Sequence, residues 1–409
     1  MTLSNCNCHV CGSGDLAVVE GSGQFAAVSS DIRVVSGTPR LALCPACGIL
    51  QKPVDEPWQT AVAGIYQEYN INHQSGGSDP VIFTSLYGPG PRADILVAHL
   101  SRAASLPERG SMLDIGCASG NILRSFNKAY PRWSLFGMET SDQWRGSVSA
   151  LAGVQNFFTS LDALGELRLD LIVMSHVLEH IPDPARYLQR LHRHLNPGGV
   201  LFVAVPDVRQ NPLDLFVLDH CAHFDEETLG EVLSRAEFEP VLLQSDILGK
   251  EITAISRASG TAWVADSATT PYRLPLHQVV RDYLTLCKAL VERALQLRLE
   301  HASFGIMGTS TAAAWIAGSL DMQVDFYVDE DPQRTGRFMF GKPTLSPSQV
   351  PAGACVFIPM SMETARSIIA RAHRPDIHFH YLSWNQIGEA SARVSEVCAP
   401  AGRRSRSAG

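Results

Sequence analysis

Between about residues 90 and 258, short apolar runs alternate with amphipathic stretches, the pattern of a parallel α/β sheet covered by helices. A helix is expected at 92–104, followed by a strand at 111–116. Further strands at 134–138, 170–174 and 200–205 are short apolar runs bounded by turn residues, as buried strands are. A helix at 226–236 leads to 240–244 and 251–256, two strands able to pair antiparallel. Upstream, residues 1–60 read as β-rich and short of core, and the polar stretch 66–78 reads as a loop over a pocket. Downstream, 261–275 is a linker rich in Ser, Thr and Pro. The segment 276–300 places Val280, Tyr283, Leu284, Cys287, Leu290, Val291, Ala294 and Leu295 at helical spacing. A second strand–turn–helix at 303–313, with strands at 324–330 and 354–359, predicts a smaller doubly wound domain. The fold class is therefore α/β with domains at 1–62, 63–260 and 275–392, and a tail at 393–409 with nothing to bury.

Composition narrows the partners. The chain has 409 residues and a formal charge of −8, so it offers no basic field to nucleic acid or to an anionic membrane. The longest apolar runs are too short to cross a bilayer, and no charged segment followed by an apolar one opens the chain. A cytoplasmic location is the expectation. Of the ten cysteines, four form two matched turns, Cys8-His-Val-Cys11-Gly and Cys44-Pro-Ala-Cys47-Gly. Two intervening residues let both sulfurs of a turn reach one ion, and two such turns complete a closed tetrahedral site. Cys8, Cys11, Cys44 and Cys47 are thus expected to bind structural Zn²⁺, with rubredoxin-type iron as the other metal such a site takes. Cys6, or more remotely His9, could replace a ligand.

The densest chemistry lies in Met112-Leu-Asp-Ile-Gly-Cys-Ala-Ser-Gly120 and, one strand later, Gly137-Met-Glu139. A strand entering a glycine turn, with a carboxylate at the end of the next strand, makes a nucleoside-binding unit. Gly116 should admit the ligand to the backbone, and Gly120 should let the next helix pack. Asp114 can orient the turn or accept from an ammonium, and Glu139 can accept from two ribose hydroxyls. Alone this also fits a dinucleotide-binding domain. The sequel, Asp170-Leu-Ile-Val-Met-Ser-His-Val-Leu-Glu-His180 and Leu195-Asn-Pro-Gly-Gly-Val-Leu-Phe-Val-Ala-Val-Pro206, resembles the class I S-adenosylmethionine-dependent methyltransferases. That resemblance implies S-adenosyl-L-methionine as cofactor, with Ser175 and His176 lining it through their backbone. Asp162 is either near the adenine amine or an ordinary surface residue.

Methyl transfer needs an aligned nucleophile and, for a poor one, a base. His180, after the strand at 170–174, and His220, after the strand at 200–205, lie where such folds bind ligands, and His223 shares the second loop. The cysteine module, methyltransferase core and C-terminal Rossmann-like unit together resemble the deoxysugar C-methyltransferases, which act on nucleotide-linked keto-sugars. The C-terminal likeness rests on Tyr327-Val-Asp-Glu-Asp-Pro-Gln-Arg-Thr-Gly-Arg337 and Gly341-Lys-Pro-Thr-Leu-Ser-Pro347. In that family a His-Glu-His loop supplies the base. The likeness implies His220 as base, Asp219 orienting it, and His180 holding the substrate oxygen. Departures from that family's pattern are Val217 where a tyrosine is usual, only a loose echo of its Tyr- and Ser-rich loop at 69–75, and a turn at 305–311 without its lysine, while Ala118 stands where class I methyltransferases usually carry a third glycine. The expected acceptor is a small molecule, a nucleotide sugar. The other readings are O- or N-methylation of another metabolite or glycan, and a non-enzymatic binding module.

Overall fold

The structure, a computed structural model, describes residues 6–70, 79–245, 247–258 and 275–382. The tail at 393–409, residues 261–274 of the expected linker and residues 71–78 of the expected loop lie outside the described residues. The central sheet has seven strands: β1 (Ser111–Ile115), β2 (Ser134–Met138), β3 (Val154–Phe158), β4 (Leu169–Ser175), β5 (Leu195–Pro206), β6 (Phe238–Gln244) and β7 (Glu251–Ala258). Their spatial order is β3-β2-β1-β4-β5-β7-β6. The first five run parallel, and β7 pairs antiparallel with both β5 and β6.

Both faces of the inner strands are covered, which is why β1, β4 and β5 read as continuous apolar runs rather than alternating ones. Ile172, Met174, Leu201 and Val203 pack into one core, while Leu171, Val173, Phe202 and Ala204 pack into the opposite one. Between β1 and β4 the strand order reverses, which opens a crevice at the carboxyl ends of the strands.

The N-terminal segment is less separate than its sequence suggests. Its short strands Ala17–Val18, Ala42–Leu43 and Leu50–Gln51 join a four-stranded sheet whose last member is Ala222–His223, from the loop after β5. The helix Glu56–Gln67 runs across the expected boundary at 62–63. The C-terminal unit has its own six-stranded sheet, ordered Phe338–Met339, Lys342–Leu345, Phe326–Val328, Phe304–Met307, Cys355–Ile358 and His378–Tyr381. One apolar core contains Val28, Phe216 and Trp315, so residues of all three units pack together. Phe216 stacks on Trp315 with centroids 4.8 Å apart and an interplanar angle of 11°.

Candidate active site

The turn after β1 is held against β2: the N–H groups of Gly116 and Cys117 donate to the Met138 carbonyl at 2.8 and 3.1 Å. Gly116 has φ 71°, and a Cβ there would stand 2.4 Å from Val177 Cγ2. Gly120, with φ 79°, would meet Leu151 Cδ1 at 2.6 Å. Both positions therefore exclude a side chain on conformation and on space. Ala118, between them, is also left-handed at φ 42°, which explains why a glycine would suit the position. Its N–H donates to Glu139 Oε2 at 3.3 Å, and Glu139 Oε1 accepts from Thr140 N at 2.8 Å.

Asp114 is 1% exposed, and its Oδ2 has no hydrogen-bond partner. Burial, reinforced by Glu139, raises its pKa well above the usual carboxylate range. A buried carboxylate oxygen without a donor, beside a turn with no room for Cβ atoms, fits a ligand bearing an ammonium group. The half-buried Glu139 keeps lone pairs for ribose hydroxyls. Asp114, Gly116, Gly120 and Glu139 thus come together at the crevice, and the residues present fit S-adenosylmethionine.

Beside this turn, at the end of β4, Ser175 and His176 are tied into an ionic network. Arg92 donates to Ser175 Oγ at 2.9 Å and pairs with Glu251. The His176 ring lies 3.2 Å from Glu179 Oε1 and 3.1 Å from Glu251 Oε1. Although burial opposes protonation, chiefly Glu251 carries the His176 pKa up to about 9. His176 is left-handed at φ 56°, so its backbone is bent where the side chain is clamped. Asp162 accepts from Arg190 at 2.6 Å on the surface.

The second half of the site gathers the loops after β4 and β5. His180 and His220 stand edge to face with centroids 4.6 Å apart. A carboxylate oxygen of Glu179 and a ring nitrogen each of His180 and His220 lie within 4.8 Å of one another. His180 Nδ1 is 3.0 Å from the Asp219 carbonyl and 3.0 Å from the Tyr66 hydroxyl. Burial, then His220, pushes the His180 pKa down. For His220, Asp214 outweighs burial and raises the pKa.

One expectation is corrected here. The carboxylate that holds His220 is Asp214, whose Oδ1 is 2.7 Å from His220 Nδ1, and not Asp219. Asp219 faces the other way: it accepts from the backbone N–H and the hydroxyl of Ser30 at 2.9 and 2.5 Å, and lies 3.5 Å from His180 Nδ1. The cause is local. Residues Pro212–Phe216 form a 3-10 turn that folds Asp214 back beneath His220 and His223, whereas Asp219 is drawn toward the N-terminal segment. Sequence reasoning assigned nothing to Ser30 or Lys52, and it placed Tyr66 and Tyr69 only in the stretch expected to loop over a pocket. With the Ser30 hydroxyl hydrogen given to Asp219, the Tyr69 hydroxyl donates to Ser30 Oγ at 3.1 Å, and its ring is 5.4 Å from that of Tyr66. The sequence signal for the tyrosines was the polar stretch 66–78 and, from residue 69, its loose echo of a Tyr- and Ser-rich loop.

The four cysteines converge. Their sulfurs lie within 4.8 Å of one another, with Cys8–Cys47 at 3.4 Å and Cys11–Cys44 at 3.5 Å. A tetrahedral ion with metal–sulfur distances of about 2.3 Å would set sulfurs about 3.8 Å apart, so the set fits such an ion. Cys6 is outside this cluster. A concavity of about 600 Å³, lined by Arg168, His192, His194 and Asn196 among others, opens at the amino ends of β4 and β5, away from all these groups.

Comparison with known proteins bears on the central domain. Residues 92–243 match the family model described as "Methyltransferase domain". The chain is 28% identical over 197 residues to the trans-aconitate 2-methyltransferase of Deinococcus radiodurans, covering 41% of this chain and 74% of that protein. With the enzyme of the same name from Methylobacterium nodulans it shares 35% over 126 residues, 30% of this chain and 46% of that one. The chain spans less than half of that second relative. Among solved structures, the mitomycin 7-O-methyltransferase matches at 17% identity and a TM-score of 0.36, over 41% of this chain and 53% of that one. The chain carries a class I S-adenosylmethionine-dependent methyltransferase domain.

Proposed function

We propose that the protein methylates a carbon next to a keto group on a small acceptor, a nucleotide-linked sugar, and that His220 is the base. The observation that carries this reading is the buried Asp214–His220 pair at 2.7 Å. The trans-aconitate enzymes are named for an acid, and a carboxylate oxygen is already a nucleophile that needs no proton removed. A histidine held on a buried carboxylate is the equipment for a poor nucleophile such as a C–H carbon.

Residues Asp114, Gly116, Gly120 and Glu139 would hold S-adenosylmethionine, with Ser175 and His176 beside it. When bound, the cofactor supplies an electrophilic methyl group. Because His220 Nδ1–H is donated to Asp214, Nε2 carries the lone pair that takes the acceptor's proton, and Asp214 stabilises the resulting imidazolium. The electron pair stays on the acceptor, leaving its carbon nucleophilic. His180 holds the keto oxygen by donating Nε2–H, the tautomer in which Nδ1 accepts from the Tyr66 hydroxyl, while Asp219 and Ser30 fix that loop. The cysteine cluster, filled by zinc, takes no part in the chemistry. The C-terminal unit supports a nucleotide-linked acceptor through its turn at Gly308-Thr-Ser-Thr311, where Asp329 accepts from Thr309 N at 3.1 Å.

His220→Ala should lower turnover on a panel of nucleotide-linked keto-sugars by roughly 10²–10⁴, abolish uptake of solvent deuterium into the acceptor, and leave cofactor affinity unchanged. Wild-type turnover or exchange in that variant would reject the base assignment. Turnover only on simple carboxylic acids would favour the O-methylation reading instead.

A further inference from the structure

Behind His220 runs a line of buried polar groups that the proposed chemistry leaves unused. Lys52 follows the strand Leu50–Gln51 and has no exposed surface. Its Nζ donates to the His220 carbonyl at 2.9 Å and to His223 Nε2 at 2.8 Å. His223 Nδ1 is 2.7 Å from Asp214 Oδ2, and Asp214 Oδ1 is the oxygen on His220 Nδ1. The series Lys52–His223–Asp214–His220 is thus closed by hydrogen bonds, and each member is 5% exposed or less.

Proton positions follow from the donors. An ammonium has only hydrogens to offer, so His223 Nε2 must accept and Nδ1 must carry the ring proton. That proton points at Asp214, whose other oxygen receives His220 Nδ1–H. Every nitrogen in the line then has one role, and the nitrogen left free at the end is His220 Nε2. Were His223 in the other tautomer, a lone pair would face the carboxylate and the Lys52 contact would oppose two donors.

We propose that Lys52 and His223 are positioning residues for the reaction: through Asp214 they fix the arrangement of protons that presents His220 Nε2 to the acceptor as a base. The inference rests on the reading of His220 as that base. It also gives the N-terminal segment a part in the active site. Leu50 and Gln51 pair with His223 and Ala222, and the Lys52 N–H donates to the Cys221 carbonyl at 2.9 Å, so the strand that follows the second cysteine turn sets the height of Lys52. A purely structural strut is a poor alternative on energetic grounds, since burying such charges costs several kcal/mol per ion and an apolar filling would be cheaper.

Charged and titratable groups face His220 from every side: Asp214 and Asp219 from its own loop, Glu179 and His180 from the loop after β4, and Lys52 and His223 from the shared sheet. Tyr66 reaches the same cluster from the helix Glu56–Gln67. Among these, Lys52 is a cation that opposes a second positive charge on His220. Lys52→Met, nearly the same shape, should therefore move the acid limb of kcat/KM upward by roughly one pH unit. Its kcat at pH 7 should fall about 10- to 100-fold, with acceptor KM and cofactor affinity unchanged. His223→Leu should also lower kcat, whereas His223→Asn, which keeps a donor for Asp214, should recover most of it.

The measurements are pH–rate profiles on nucleotide-linked keto-sugars, solvent-deuterium uptake, and melting temperatures of the full chain. If His220→Ala keeps exchanging deuterium, the base reading fails and this inference with it. If His220→Ala is dead while Lys52→Met and His223→Leu keep wild-type kcat and acid limb, only the positioning role is overturned. A loss of activity uniform in pH, tracking a lowered melting temperature and not recovered by His223→Asn, would show a strut and overturn it as well.

Discussion

Replacing Asp114 by asparagine is expected to strengthen the ligand-free protein and to weaken its grip on S-adenosylmethionine. Asp114 Oδ2 is buried without a partner, and burial together with Glu139 raises the pKa of the group. An unpartnered buried polar atom costs about 1–3 kcal/mol, and more when charged. An amide carries no charge for burial or Glu139 to penalise, so about 1–2 kcal/mol should return, or roughly 2–8 °C in melting temperature for a domain of this size. The sign with pH is fixed by linkage. A carboxyl whose folded pKa is raised contributes stability below its unfolded value and loses it as pH rises through the folded value. The advantage of Asp114→Asn should therefore be present at pH 7 and fade below about pH 4. In the complex the same oxygen would receive a charged donor worth about 1.5–3 kcal/mol, so affinity should drop roughly 10- to 100-fold. Thermal melts without ligand at both pH values, and calorimetry with S-adenosylmethionine and S-adenosylhomocysteine, read the two effects separately. Unchanged affinity, or a lower melting point at pH 7, would refute the argument that this oxygen awaits a donor.

Gly116→Ala should weaken cofactor binding at least 10-fold, since its Cβ would stand 2.4 Å from Val177 Cγ2 at φ 71° and the left-handed conformation alone costs about 1–2 kcal/mol; calorimetry showing parental affinity would contradict it. For His176→Gln, the wild type's stability advantage should be full below about pH 6.5 and vanish as pH rises through about 9. With the ring 35% exposed, that advantage is about 1 kcal/mol or less, measured by urea unfolding at pH 6, 8 and 10. Purified protein should hold about one zinc per chain, and removing it with a strong chelator should raise hydrogen exchange at Lys52 and Ala222, whose strands the cysteine turns hold together; a metal-free protein with unaltered protection would dismiss the zinc site. Ala118→Gly should leave affinity intact and raise stability by about 1 kcal/mol or less, because it relieves a left-handed alanine at φ 42°.

The inner strands of the central sheet were legible because burial on both faces leaves an uninterrupted apolar run with a turn at each end, whereas the edge strand β3, with Gln155 and Asn156 exposed, carries no such run and was not read. The four-cysteine cluster was legible for a different reason: ligand spacing within a turn is a local constraint, written in four residues at a time. What could not be read locally were the partnerships made across the chain. Asp219 sits beside His220 in sequence and was assigned to it, yet adjacent side chains point apart, and the 3-10 turn at Pro212–Phe216 delivers Asp214 instead. Lys52 lies 168 residues from the carbonyl it holds, and no periodicity announces such a contact. The strand Ala222–His223, only two residues long, is too short to stand out in any hydrophobic pattern.

That same short strand explains why this protein would need its N-terminal segment. In a class I fold the loop after the fifth strand is free to vary, and a base placed on a free loop is poorly oriented. Here the loop is captured at both ends: Leu218 N–H donates to the Val28 carbonyl at 2.7 Å and the Cys221 carbonyl accepts from Lys52 N–H. Between those anchors the Trp58 indole donates to the Leu218 carbonyl at 2.8 Å. His220 is thereby held between two contacts from outside the methyltransferase domain. A truncation that removes residues 1–54, ahead of the helix Glu56–Gln67, should accordingly leave a domain with the cofactor residues intact and the base unplaced. It should still warm or cool the calorimeter with S-adenosylmethionine while exchanging no acceptor deuterium. Exchange at the parental rate from that fragment would mean the loop orders itself, and the N-terminal segment would then have some other purpose.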